Sequence, residues 1–195
     1  MTQLILASGS PRRKDYLNYL SLPFSIVIPK VDESKKDCEK PQDLVLRLSK
    51  IKAHAVNEQY PNAVIVAADT VVAIEDKILG KPKDKGDAFQ MLKTLQGKTH
   101  SVYTGTTIAK GKEAKSFVCK TEVTFAKLDD DLIKFYLSTN EWEGKAGGYA
   151  LQGIAAMLIE KTNGSVSNVV GLPINEVRIT LQEFGLKPKV IEKLK

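Results

Sequence analysis

"AVIVAADTVVAI", residues 63–74, decides the fold. It is apolar on both sides of a single Asp-Thr pair and rich in Val and Ile. That pattern predicts a strand buried on both faces, at the centre of a sheet. Upstream, Leu4–Ala7 reads as a second short buried strand. Ser10 suits a helix N-cap and Pro11 the first helical position, and Tyr16, Leu17, Tyr19 and Leu20 give that helix an apolar face. Phe24–Ile28 reads as a strand and residues 31–43 as a charged loop. Pro41 opens a helix whose Leu44, Leu48, Ile51 and Ala55 recur at helical spacing, until Tyr60-Pro61 stops it.

Downstream, residues 75–77 can turn the central strand into a hairpin. Asp84 caps a helix from about Lys85 to Leu95, with Gly97 as its stop. Strands over 99–109 and 115–127 join through "KGKE", and Phe117, Cys119, Thr121, Val123 and Phe125 alternate inward. "LDDDLIKFYLST" is a capped amphipathic helix. A Gly-rich segment, 144–153, precedes an expected strand at 154–161, an Asn163-Gly164 turn and a strand near 165–170. Pro173 opens a last helix that ends at Gly185. The expectation is a single mixed α/β domain over residues 1–195 with a long antiparallel hairpin.

Composition narrows the class. The 195 residues carry a formal net charge of +6, which suits anionic partners or a lysine-rich solvated surface. Cys38 and Cys119 are too few and too far apart for a disulfide scaffold. His54 and His100 form no Cys/His cluster, so structural zinc is not expected. No apolar run reaches the roughly 18 residues of a membrane span, and no signal peptide opens the chain. A cytoplasmic protein is expected.

The chemistry concentrates in a few stretches. In "SGSPRR", residues 8–13, a helix N-terminus meets two serines and two guanidinium groups, which together make a phosphate cradle. The competing explanation has Ser10 only capping and Arg12 and Arg13 facing solvent. No GxxxxGK[ST] or GxGxxG follows, so neither a Walker loop nor a dinucleotide fingerprint is present. Asp69, alone inside the apolar run, must be paired, ligate metal, or bond nearby backbone at a bend. Glu33 and Asp32 can join it around Mg²⁺ or Mn²⁺, or lie solvated in their loop. Lys52 and Lys81 can each reach a phosphate, though a surface position is the simpler account. In "AGGYALQG", residues 146–153, glycines surround Tyr149 and Gln152, and the Gln152 amide suits a nucleobase edge. No Ser/His/Asp set is visible, and Cys119 reads as core.

"ASGSPRR", "AADTVV", "GKPKD", "HSVYTG", "KAGGYALQG" and "NGSVSNVVGLP" resemble, in order, the motifs of the Maf family of nucleotide pyrophosphatases, from about Leu4 to Glu176. The resemblance implies two lobes around a cleft, similar to the inosine-triphosphate pyrophosphatase fold. It implies metal-dependent hydrolysis of nucleoside triphosphates to monophosphate and diphosphate, with possible links to removal of non-standard nucleotides and to cell-division arrest. Asp69 would be the catalytic base. Ser8, Ser10, Arg12 and Arg13 would hold phosphates, and Glu33, Lys52 and Lys81 would complete the charged site, with Glu33 and Asp69 at a Mg²⁺ or Mn²⁺. Tyr149 and Gln152 resemble the form acting on dTTP and UTP, in which Arg12, Thr70 and Gln152 bear on substrate choice. Gly144 and Val166 depart from the family pattern. A homodimer is implied, with no stable nucleic-acid complex and no membrane. The alternatives are a basic nucleic-acid-binding module and a regulator that binds nucleotide without turnover.

Overall fold

The computed structural model describes residues 2–75 and 77–188. Its centre is the expected strand. We label the strands β1 (Leu4–Leu6), β2 (Ser25–Ile26), β3 (Val64–Ile74), β4 (Lys77–Leu79), β5 (Thr99–Lys110), β6 (Glu113–Phe125) and β7 (Ile159–Asn163). They form one mixed sheet in the order β2-β1-β3-β5-β6-β7, with β4 on β3 as well. β1 is parallel to β2 and β3, whereas the other pairings are antiparallel. The helices are α1 (Pro11–Asn18), α2 (Pro41–Asn57), α3 (Lys85–Leu95), α4 (Asp130–Ser138), α5 (Val166–Val170) and α6 (Ile174–Glu183).

The pairing of β3 is uneven. Along one edge β5 accompanies it from Ile65 to Ala73. Along the other, β1 reaches only Val64–Val66 and β4 only Val72–Ile74. Between them the edge of residues 67–71 meets no strand. This gap divides the molecule into two lobes and becomes the floor of its cleft.

Side-chain alternation along β3 then sorts the core. Val64, Val66 and Ala68 pack in a cluster with Leu17 of α1 and Val177 and Leu181 of α6. Val72 and Ile74, in step with them, enter a second cluster with Leu92 of α3 and Ile133 and Leu137 of α4. Ile65, Ala67 and Val71 face the other way, onto Leu48, Ala53 and Val56 of α2. Asp69 lies in that odd-numbered row. Gly105 pairs with it from β5. A Cβ on Gly105 would stand 2.3 Å from the Val45 carbonyl oxygen, so α2 lies directly against the β5 backbone there. Only glycine allows that approach, and it brings α2 over Asp69.

Local signals held where they were strong. Asp84 accepts from Asp87 N–H and Asp129 from Leu132 N–H, so both N-caps are made. The β5–β6 hairpin turns at Gly111, with φ +56. Four expectations need correction. The strand over Phe24–Ile28 shrinks to Ser25–Ile26. Tyr19 does not join the apolar face: α1 ends at Asn18, Ser21 turns the chain at φ +51, and Tyr19 is 66% exposed, packed on Tyr16. Residues 154–158 form a 3₁₀ helix rather than a strand, fixed where Glu141 accepts from Ala155 N–H. Residues 166–170 are helix α5, because Ser165 caps Asn168 N–H and Gly171 ends the turn at φ +109. The turn at 75–77 includes Asp76, which lies outside the described residues. No described helix is long and apolar enough to cross a membrane.

Candidate active site

β1 delivers the chain to the gap. Its parallel strand ends at Leu6, Ala7 N–H donates to Val66 C=O, and Ala7–Ser10 then lead into α1. Lysine and arginine side chains and three carboxylates, Glu33, Asp69 and Glu143, line a cleft of about 870 Å³ here. Ser8, Ser10, Arg12, Arg13, Glu33, Lys52, Asp69, Thr70, Lys81 and Gln152 all border it, so the structure brings these expected site residues, though not Asp32, to one place.

Their bonding separates them. Lys52 Nζ donates to Asp69 Oδ1 (2.7 Å) and to Glu33 Oε2 (2.8 Å). Lys52 is only 6% exposed and Asp69 8%, so the solvent-exposed account of Lys52 is overturned. A buried ammonium and carboxylate are tolerable because each neutralises the other. Glu33 is held from outside: Arg47 of α2 forks onto both carboxylate oxygens of Glu39 (2.6 and 2.7 Å) and also donates to Ser34 C=O. Asp32 is turned into its own loop, accepting from Ser34 N–H and Oγ, and does not border the cleft.

The two arginines differ. Arg13 donates to Gly171 C=O (2.8 Å), Ser8 Oγ (3.3 Å) and Thr70 Oγ1 (3.0 Å). Burial lowers its pKa and the Asp69 charge opposes that shift, yet guanidinium stays protonated. Three of its five N–H groups are thus used within the protein. Thr104 gives its one hydrogen to Asn168 C=O (2.9 Å), so Thr70 must donate to Thr104 (2.9 Å). Thr70 therefore has no hydrogen left for a ligand and acts as a link beneath Arg13. The Arg12 side chain makes no hydrogen bond or ion pair with any described residue. Burial lowers its pKa too, against the opposing influence of Tyr136 and Glu141. The first intrahelical bond of α1 is Lys14 N–H to Ser10 C=O, so the earlier amides of Arg12 and Arg13 have no backbone acceptor in the helix. Ser10 makes no side-chain cap bond.

Gln152 borders the cleft, and its Nε2 donates to Tyr16 Oη of α1 (3.1 Å). Lys81 is exposed at the rim. Lys35 and Lys145 also border the cleft.

Among the described residues no three His, Cys, Asp or Glu side chains gather as a metal cage. Two carboxylates, Glu33 and Asp69, do meet across Lys52, and each has one oxygen that takes no hydrogen bond from a described residue. Mg²⁺ is commonly held by one or two carboxylates plus substrate phosphates, so this set fits.

The protein-family profile described as "Maf-like protein" matches residues 3–184. The chain belongs to the Maf family. Among its Maf relatives is one from Pyrococcus furiosus, 45% identical over 98% of this chain and 100% of its own, described as a dTTP/UTP pyrophosphatase. Another, from Symbiobacterium thermophilum, carries the same description and is 43% identical over 95% of both chains. A solved structure of a HAM1 protein from Coxiella burnetii shares the fold, with TM-score 0.53 and 14% identity over 94% of this chain and all of that one.

In this Maf protein Lys35 and Lys145 at the cleft, and Arg47 behind it, carry no local signal in the sequence, because their partners or neighbours arrive from distant elements, and Tyr16 shows there only as part of an apolar helix face. Cys119 is half-buried rather than core, and burial pushes its thiol up to about 11, which disfavours a reactive thiolate. His100 is buried behind Tyr149, and burial pushes it down from 6.5 to about 4. Between those values the unfolded chain binds a proton that the folded chain does not, so stability falls as pH falls. One such group is expected to remove roughly 3 kcal/mol of unfolding free energy between pH 6.5 and 4. Urea titrations across that range should show the loss, and His100→Leu should flatten it. An unchanged slope in the variant would assign the acid sensitivity elsewhere.

Proposed function

We propose that this Maf protein hydrolyses nucleoside triphosphates, dTTP and UTP foremost, to the monophosphate and diphosphate. The observation that carries the proposal is the meeting of Glu33, Lys52 and Asp69 at the floor of a cleft bordered by Arg12, Arg13, Lys35, Lys81 and Lys145. The described activity of relatives at 43% and 45% identity supports the substrate class.

The chain's own groups divide the work. Ser10 and the first-turn amides of α1 face the phosphates, and Arg12 offers its fork to their oxygens. The Asp69 carboxylate accepts the proton of a water that attacks the α-phosphorus. The bond from that phosphorus to the bridging oxygen breaks, and diphosphate leaves with its charge met by Arg12 and Lys81. Lys52 holds Asp69 in place through its 2.7 Å bond to Oδ1. A Mg²⁺ or Mn²⁺ would be held by Glu33 and Asp69, and when bound would neutralise phosphate charge. The Gln152 amide reads the base. With this proposal go a single domain, a homodimer and a cytoplasmic setting.

Diphosphate release from dTTP, UTP, CTP, GTP and ATP tests it. Turnover of dTTP and UTP should dominate, and chelator-stripped protein should be inactive until Mg²⁺ or Mn²⁺ returns. Full activity without metal would remove Glu33 and Asp69 as metal holders. Nucleotide binding without diphosphate release would make the protein a regulator, and tight nucleic-acid binding without turnover would favour a basic binding module.

Gln152 carries its own prediction. Thymine and uracil present an N3–H donor between carbonyls, whereas cytosine reverses part of that pattern. Mispaired polar groups in a dry site discriminate by about 10⁴, and by much less where water enters. Gln152 is exposed at the cleft, so roughly ten-fold is expected. Gln152→Glu should narrow or invert the dTTP-to-CTP ratio of kcat/KM and spare kcat for the better substrate. Unmoved ratios would remove Gln152 from base recognition.

A further inference from the structure

The "HSVYTG" stretch carries a histidine that the phosphate chemistry does not use. His100 lies on β5 opposite Val123 of β6 and is 2% exposed. Its Nε2 stands 2.7 Å from Tyr149 Oη. Phe125 meets both rings edge-on, with centroids 5.1 Å from His100 and 4.9 Å from Tyr149. His100 Nδ1 is buried and has no partner among the described residues.

A buried ring nitrogen without a partner costs stability. An aliphatic side chain in the same space would carry no such cost. Packing alone therefore gives no reason for an imidazole here, whereas the bond to Tyr149 does. Tyr149 itself borders the cleft. It follows Gly147 and Gly148, at φ +70 and +73, the backbone positions with most conformational freedom in this loop. Around it the loop is held by single backbone bonds: Gly147 N–H to Gly80 C=O, Gly148 N–H to Lys145 C=O, and Gly153 N–H to Ala150 C=O. Two side chains tie the loop down, Tyr149 in the protein interior on His100 and Gln152 on Tyr16 Oη (3.1 Å). Gln152 is three residues further on.

We propose that His100 is a positioning residue for base selection. Through Tyr149 it fixes the 146–152 loop, and so the Gln152 amide, without touching the nucleotide. This rests on the proposed role of Gln152 in base reading.

The test uses four variants. His100→Leu leaves the Tyr149 hydroxyl buried and unpaired, and Tyr149→Phe leaves His100 without its bond. The double variant removes both polar ends and restores an apolar contact. His100→Gln keeps a side-chain partner for the hydroxyl. The double variant should unfold at or above the wild-type midpoint. Its dTTP-to-CTP ratio of kcat/KM should nonetheless fall about five-fold or more, and no further than in either single variant, because one coupled pair is broken in each. Amide exchange at Gly147, Gly148 and Gly153 should quicken by a similar factor, while β5 and β6 stay protected. His100→Gln should retain most of both properties.

If His100 only fills the core, the stable double variant will recover the wild-type ratio and loop protection, and the proposal falls. It falls equally if the single effects on the ratio add. A wild type with no pyrimidine preference would sink the role given to Gln152. Amide exchange would still decide whether His100 orders the loop.

Discussion

Asp69→Asn is expected to lower turnover of dTTP by about 10²- to 10⁴-fold, the range for loss of a positioned general base. The fold should survive. The amide oxygen can still accept from Lys52, which now meets Asp69 at 2.7 Å, and Lys52 keeps its second bond to Glu33. The substituted side chain is nearly the same size, in a rigid strand braced by β5. What disappears is an anionic oxygen able to take a proton. The loss should therefore fall on kcat, with KM changed far less. Diphosphate release at saturating and limiting dTTP, beside a melting curve, measures both. Near-normal release from the folded variant would show that Asp69 is not the base.

Arg12→Ala should cost about 2.7–4 kcal/mol of transition-state stabilisation, a 10²- to 10³-fold fall in kcat/KM, the scale for one lost charge-stabilising donor. Arg12 suits this experiment better than Arg13. Arg13 spans from α1 to Gly171, Ser8 and Thr70, so its removal would also loosen the floor of the cleft. Arg12 has no such duties, and its truncation should leave the melting temperature within a few degrees of wild type. Arg12→Lys retains the charge without the planar fork and should recover only part of the loss. An unchanged kcat/KM in the alanine variant would place Arg12 among the solvent-facing charges.

Much of the architecture was legible because its signals are local. β3 announced itself by apolar residues on both faces, and Asp84 and Asp129 announced their helices by capping. Residues 154–158 and 166–170 were not legible in this way. Their apolar residues suit a strand as well as a short helix, and tertiary bonds decide the outcome. Glu141 holds the turn at Ala155, while Asn168 donates to Val102 C=O and Thr121 Oγ1. The site followed the same division. "SGSPRR" and Asp69 stood out because charge and glycine sit against apolar sequence. Lys52 did not, since one lysine among many looks exposed until a strand from elsewhere sets a carboxylate against it. Glu33 lies in a loop without periodicity, and its fixed shape depends on Arg47 and Lys52, which arrive from α2.

The break in pairing along β3 has a consequence for the sheet as a polymer surface. Ala7 N–H donates to Val66 C=O, so the even-numbered residues of β3 turn their backbone groups toward β1 and β4. At Ala68 and Thr70 those groups meet no strand, leaving a short internal edge. Free edges invite strands from other chains and, with them, aggregation. This one is walled at both ends by β1 and β4 along the same line. Only about 20 Å of backbone separates Val66 from Val72 at the usual rise per residue. An intruding strand would need to enter and leave within a handful of residues, against the Arg12 and Arg13 charges. A compact ligand faces no such restriction, so the slot admits small molecules and resists edge-to-edge association by the same geometry.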